Sequence, residues 1–130
     1  MAKWLSVIMI LMALCGCGNK KKPEYIHVEN PAKGEELFKK VGCTTCHSFS
    51  GEKKYGPPLN SIFDKEVVVI RNGNPDTVRV DRQYILRSLK DPGFEKVSSF
   101  QKRKMPTLNL SMEEIDCLVD YIIFINKKNP

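Results

Sequence analysis

Residues 43–47, Cys-Thr-Thr-Cys-His, carry the side chains with the clearest chemical potential in this chain. Two thiols three positions apart can each add across one vinyl group of a haem, leaving two thioether bonds. His47 follows at once, and a neutral imidazole nitrogen is a common ligand of haem iron. This spacing is that of covalent c-type haem attachment. We therefore expect Cys43 and Cys46 to hold one haem c and His47 to bind its iron.

Three other uses of these cysteines explain the pattern less well. A zinc ribbon needs a second ligand pair at similar spacing, and the sequence offers none. A thioredoxin-like redox pair needs a surrounding βαβ pattern, whereas the chain around Cys43 has a helical pattern. A disulfide between Cys43 and Cys46 is compatible with the spacing, but it gives no reason for His47.

The length of 130 residues predicts one domain and, at most, a targeting segment. The formal net charge is +6, from 21 basic and 15 acidic residues. This modest, dispersed excess suits docking to an acidic partner or a membrane face and argues against a nucleic-acid ligand. A domain of this size has a thin core, and a covalently held haem would supply much of the missing apolar volume.

Residues 1–16 have the layout of a secretory signal peptide. Lys3 precedes an apolar run, residues 4–14, that is too short to span a bilayer. The end of this segment, Leu14-Cys15-Gly16-Cys17, resembles a bacterial lipobox, which implies cleavage before Cys17 and lipid attachment to it. Lipid on Cys15, an ordinary secretory signal and an uncleaved anchor are the alternatives. We expect an exported lipoprotein, anchored to a bacterial membrane and facing the periplasm or cell exterior.

Residues 17–30 are polar and show no helical or strand period, so we interpret them as the lipidated cysteine and a flexible tether. His27 lies there and is expected to be solvated. Residues 31–130 are predicted to form the folded domain. Its first helix begins at Pro31, with Asn30 as the N-cap, and continues to about Val41.

The remaining elements follow from turn and capping residues. Two β-branched segments flank Asn72-Gly73, a tight-turn dipeptide, and predict a short hairpin. Asp81 is predicted to cap a helix that continues to about Lys90. Ser111 and Glu114 form a capping-box pattern, so the last helix should start there and continue to about Asn126. Its expected buried residues are Ile115, Leu118, Val119, Ile122 and Ile123, with Cys117 as a small buried side chain.

Residues 31–126 resemble a class I c-type cytochrome domain. Gly34 and Phe38 match the N-terminal helix of that family, and Tyr121 matches the aromatic residue of the C-terminal helix that packs into the crossing. The resemblance implies an all-α fold with crossed terminal helices around the haem. In this chain the fold would carry the short β-hairpin as an insertion.

The same resemblance supplies two further site residues. Gly56-Pro57-Pro58-Leu59 resembles the family's Gly-Pro-x-Leu loop, which implies that the carbonyl of Pro57 contacts the second nitrogen of His47. Met105 begins a Met-Pro-x-Leu segment that matches the sixth ligand of the iron, opposite His47. Packing of Met105 in the core is the alternative. Met112, the other methionine of the domain, is expected to be a core residue.

Residues 69–92 also resemble part of the cytochrome c domain fused to subunit II of some haem-copper terminal oxidases. The resemblance is partial, and a haem-covering loop without information about a partner is the alternative. The matching residues are Val69, Gly73, Val80, Asp81, Tyr84, Ser88 and Pro92.

Ligation by His47 and Met105 implies a low-spin iron without an open position, which favours electron transfer over catalysis. We expect a membrane-tethered monohaem cytochrome, not an enzyme, that transfers single electrons between respiratory-chain components, with a terminal oxidase as one candidate partner. A haem peroxidase or gas sensor with a labile sixth ligand is the alternative. The expected docking surface is basic and contains Lys39, Lys40, Lys53, Lys54, Lys102, Arg103 and Lys104; a solvated basic surface without a partner is the alternative.

Overall fold

The structure, a computed structural model, describes residues 29–129. The predicted signal peptide, Cys17 and His27 lie outside the described residues. The helices are α1 (Pro31–Lys40), α2 (Cys43–Cys46), α3 (Arg82–Lys90) and α4 (Met112–Lys128); the strands are β1 (Glu66–Arg71), β2 (Asn74–Arg79) and β3 (Glu95–Val97). Within residues 29–129, no helix is both long and apolar enough to cross a membrane.

Helices α1 and α4 cross at Gly34, as predicted. A Cβ atom built on Gly34 would overlap the backbone carbonyl oxygen of Cys117 and would lie 2.7 Å from the Cβ of Tyr121. The missing side chain therefore allows the close approach of the two helices. Beside the crossing, the ring of Tyr121 packs edge-on against Phe38, with ring centres 5.5 Å apart, and Phe49 completes the aromatic cluster.

The helix ends follow the capping residues of the sequence. The side chain of Asn30 accepts a hydrogen bond from the backbone N–H of Lys33 at 3.0 Å, and that of Asp81 accepts one from the N–H of Tyr84 at 2.7 Å. Ser111 and Glu114 form a complete capping box at the start of α4. The five apolar residues predicted to be buried in α4, and Cys117, all lie in the core.

The β structure is larger than the predicted hairpin. Strands β1 and β2 pair in antiparallel register around Asn72 and Gly73, whose positive φ angles of 51° and 82° make the two-residue turn. Strand β3 then pairs with the other edge of β1, which gives a three-stranded sheet in the order β2-β1-β3. The expectation of an all-α fold with only a hairpin is therefore incomplete. Three residues are too few to show the alternation that predicts a strand.

The prediction that Met112 is a core residue is wrong, because its side chain is 44% exposed. Met112 is the first residue of α4, and the buried face of this helix begins only at Ile115. A side chain three positions before Ile115 lies on the same side of the helix. It can still be exposed when no other part of the chain packs against the first turn.

Candidate functional site

Five predicted site residues line one cavity of about 400 Å³: Cys43, Cys46, His47, Pro57 and Met105. This volume lies within the range of about 300–1,000 Å³ that is usual for ligand and cofactor pockets. The other wall residues are mostly apolar and come from α1, β1, α3, β3, α4 and the loops between them; they include Phe38, Leu59, Ile62, Val80, Ile85, Leu89 and Ile122.

The first wall of the cavity is the segment that holds both cysteines. Gly42 adopts a left-handed φ of 84°, which turns the chain from α1 into α2. Both cysteines of α2 have free thiols. Burial raises the pKa of the Cys43 thiol. The short helix brings both sulfur-bearing residues to the same cavity as His47.

The imidazole of His47 is held by the loop that follows it. Its Nδ1 lies 2.8 Å from the carbonyl oxygen of Pro57. Since a carbonyl oxygen only accepts hydrogen bonds, Nδ1 carries a proton; in the neutral form of such a ring, the lone pair that can bind a metal is on Nε2. This contact is the one that the resemblance implied for Pro57.

Gly56 lies against the same ring. A Cβ atom at this position would lie 2.5 Å from Cε1 of His47 and 2.9 Å from both ring nitrogens. The backbone N–H of Gly56 donates a hydrogen bond of 2.8 Å to the carbonyl oxygen of Cys46. The loop is thus fixed directly over the histidine, and the glycine is needed for space, not for an unusual backbone angle.

Met105 lies on the segment between the short 3₁₀ turn Ser98–Phe100 and α4. Its side chain is partly buried, packs against the core and lines the cavity together with His47. The structure therefore brings a thioether and an imidazole to one apolar space. Two later residues of this segment, Leu108 and Leu110, also pack against the core.

These groups fit a covalently attached haem. Two free thiols can form the thioethers, an imidazole with a protonated Nδ1 can bind iron through Nε2, and a thioether sulfur is a second soft ligand. The apolar walls match the porphyrin ring. Groups of three or more His, Cys, Asp or Glu side chains able to hold a separate metal ion are absent from the described residues.

The charged groups on the cavity wall are mostly basic: Lys53, Lys96, Arg103 and Lys104. Lys39, which the sequence placed in the same basic surface, does not line the cavity and pairs with Glu35 at 2.7 Å on the exposed side of α1. Its positive charge is therefore compensated, and it is a weak candidate for a docking surface.

Sequence reasoning missed a buried carboxylate in this wall. The side chain of Glu95 is 0% exposed, and it forms ion pairs with Arg71 at 2.6 Å and Arg87 at 3.1 Å. No local pattern marks Glu95, since its burial depends on two arginines that are 24 and 8 positions away in the chain. Tyr55, a second wall residue without a sequence-predicted role, stacks with Arg103.

Comparison with known proteins agrees with this geometry. A model of the family described as cytochrome c matches residues 31–123. The C subunit of nitric oxide reductase from Stutzerimonas stutzeri is 26% identical over 102 residues, which cover 76% of this chain and 60% of that protein. The chain thus spans less than two thirds of the length of this relative. Since the family match covers more than half of the chain, the protein belongs to the cytochrome c family.

Proposed function

We propose that this protein is a monohaem electron carrier that transfers single electrons and has no enzymatic activity of its own. One observation carries the proposal: a single apolar cavity contains two thiols, an imidazole with its Nδ1 bonded to a carbonyl, and a thioether. A haem bound through these groups supplies a one-electron couple between ferrous and ferric iron.

The residues of the chain perform three tasks in this function. Cys43 and Cys46 tie the cofactor to α2 through covalent bonds. The carbonyl of Pro57 fixes the tautomer and the orientation of His47 and increases its basicity. The apolar wall would limit the access of water to the haem, and solvent access together with the local dielectric tunes its reduction potential.

Met105 distinguishes the carrier from the alternative of a peroxidase or gas sensor. As sixth ligand it would close the coordination sphere and raise the reduction potential. The test uses the full chain with haem attached, and compares wild type with Met105→Ala. We expect a positive potential and no carbon monoxide binding in the wild type, and a lower potential with ready binding in the variant. A wild type that binds carbon monoxide as fast as the variant would support the alternative.

We further propose that the partner is a respiratory redox complex with an acidic docking surface. Similarity to a component of nitric oxide reductase supports this class of partner, and a terminal oxidase remains a candidate. Lys53 and Lys104 lie on the cavity wall, where positive charge would accelerate encounter with an acidic surface.

Charge reversal tests this docking surface. Lys53→Glu with Lys104→Glu should slow reduction or oxidation by the partner and flatten its dependence on salt. Reversal of Lys65 and Lys90, which do not line the cavity, changes the net charge equally and serves as the control. Equal effects of the two double variants would exclude a specific basic surface.

We propose that lipid on Cys17 anchors the protein to a bacterial membrane, facing the periplasm or the cell exterior, with residues 17–30 as the tether. The lipobox-like sequence supports this assignment. Incorporation of labelled palmitate by wild type, and its loss in Cys17→Ala, is the expected result. Equal labelling in Cys17→Ala but not in Cys15→Ala would place the lipid on Cys15.

A further inference from the structure

Arg103 connects two loops at the wall of the cavity. Its Nη1 donates hydrogen bonds to the carbonyl oxygens of Lys54 and Tyr55, both at 2.7 Å. The carbon at the centre of its guanidinium group lies 5.3 Å from the ring centres of both Tyr55 and Phe100. These distances are those of cation–π contacts. We call the contacts of Arg103 with Lys54, Tyr55 and Phe100 the Arg103 clamp.

The loop that receives these bonds is itself fixed to the haem-attachment segment. The ammonium group of Lys54 donates a hydrogen bond of 2.9 Å to the carbonyl oxygen of Thr44. The backbone N–H of Gly56 donates one of 2.8 Å to the carbonyl oxygen of Cys46. Arg103 thus holds the chain just before Met105 to a loop with a fixed position relative to both cysteines.

The segment after Arg103 has little hydrogen bonding of its own. Within the described part of the chain, residues 104–110 form no backbone–backbone hydrogen bond. The N–H of Lys104 reaches the hydroxyl of Tyr55 only at 3.4 Å, and apolar packing of Met105, Leu108 and Leu110 holds the rest. A segment with so few hydrogen bonds opens more easily than the helices around it. The Arg103 clamp is its main polar attachment before the cap of α4.

We propose that Arg103 is a positioning residue, which keeps the Met105 segment closed over the cavity and so prevents small ligands from displacing the Met105 sulfur. This inference rests on the proposed role of Met105 as iron ligand. Arginine suits the task because its planar group can donate to backbone carbonyls while it contacts two rings. Lysine at this position could donate to the carbonyls but would lose the planar contact.

The experiment compares the full chain with haem attached in four forms: wild type, Arg103→Ala, Arg103→Lys and Lys102→Ala. One readout is amide hydrogen exchange of residues 104–110, with α4 as internal reference. The other is the rate at which the ferrous protein binds carbon monoxide. We expect Arg103→Ala to accelerate the hydrogen exchange of residues 104–110 and the binding of carbon monoxide about tenfold each. This size is typical of the loss of charged hydrogen bonds and exposed cation–π contacts. Arg103→Lys should be intermediate.

Lys102→Ala is the matched control, since it removes the same charge from the neighbouring position and leaves the clamp intact. Equal effects of Lys102→Ala and Arg103→Ala would overturn the proposal, because charge alone would then explain them. Faster exchange of α4 together with residues 104–110 would also overturn it, since Arg103 would then stabilise the whole domain. Fast carbon monoxide binding by the wild type would refute the role of Met105, while hydrogen exchange would still report on the clamp.

Discussion

Gly56→Ala should disturb the position of His47 and destabilise the protein. The added Cβ would lie 2.5 Å from Cε1 of His47, whereas ordinary contacts begin at 3.4 Å, so the ring or the loop must move by about 0.9 Å. The loop cannot move alone, because Gly56 and Pro57 each form a hydrogen bond of 2.8 Å with the haem-attachment segment.

The size of the destabilisation by Gly56→Ala follows from these contacts. Forcing one extra carbon into a filled site costs about 1–3 kcal/mol, and loss of the bond between His47 and Pro57 costs about 1 kcal/mol more. We therefore expect the free energy of unfolding to fall by about 2–4 kcal/mol. Because the Pro57 carbonyl increases the basicity of His47, loss of this bond should also raise the reduction potential of the bound haem.

Guanidinium chloride unfolding of the protein with haem attached, followed by haem absorbance, measures the free energy of unfolding. A redox titration measures the reduction potential. Gly93→Ala is the matched control, since its added Cβ would lie 3.5 Å from the nearest atom, a carboxylate oxygen of Asp91. A change below about 0.5 kcal/mol in Gly56→Ala, which is typical of a surface substitution, together with an unchanged potential, would refute the argument that Gly56 supports the histidine.

Two further predictions concern the helices. Gly34→Ala should lower the free energy of unfolding by about 1–2 kcal/mol, because the overlap with the carbonyl of Cys117 forces α1 and α4 apart and costs more than the gain of about 1 kcal/mol in helix propensity. Guanidinium unfolding measures this change. The hydrogen bond from the backbone N–H of Ser111 lowers the pKa of the Glu114 carboxyl group below its ordinary value of 4.5. The contribution of the ionised carboxylate to stability is therefore present above pH 4.5 and is lost as the pH falls through the lowered pKa. Glu114→Gln can keep the cap but cannot titrate, so the wild type should lose Tm relative to this variant between about pH 5 and pH 3.

Both tests have clear contrary outcomes. For the helix crossing, a Gly34→Ala variant as stable as Gly93→Ala would mean that α1 and α4 can separate without cost. For the capping box, parallel Tm curves of wild type and Glu114→Gln across this pH range would mean that titration of Glu114 contributes nothing to acid unfolding.

Local features of the fold could be predicted from the sequence because each depends on neighbours in the chain. The N-caps Asn30, Asp81 and Ser111 bond to N–H groups three positions ahead. The Asn72-Gly73 turn depends on two residues that tolerate positive φ. The period of α4 likewise predicted its buried apolar side chains. It did not predict the burial of Asp116, Asp120 and Asn126, and the expectation for Met112 on the first turn was wrong.

The composition of the site was likewise predictable, since the spacing of Cys43, Cys46 and His47 is itself the chemical requirement for haem attachment. Pro57 and Met105 were predicted as site residues from a family resemblance, not from local physics. The structure places both in one cavity with the motif.

Only the tertiary structure decided three other features: the pairing of β3 with β1, the burial of Glu95 and the clamp formed by Arg103 with Tyr55. A charged or polar group is stable in a wall of the core only when its partners are present. Those partners are as many as 49 positions away in the chain. Turns, caps and the haem-attachment motif are encoded locally, whereas long-range pairs exist only after the helices have packed, because packing alone brings distant charges and rings into contact.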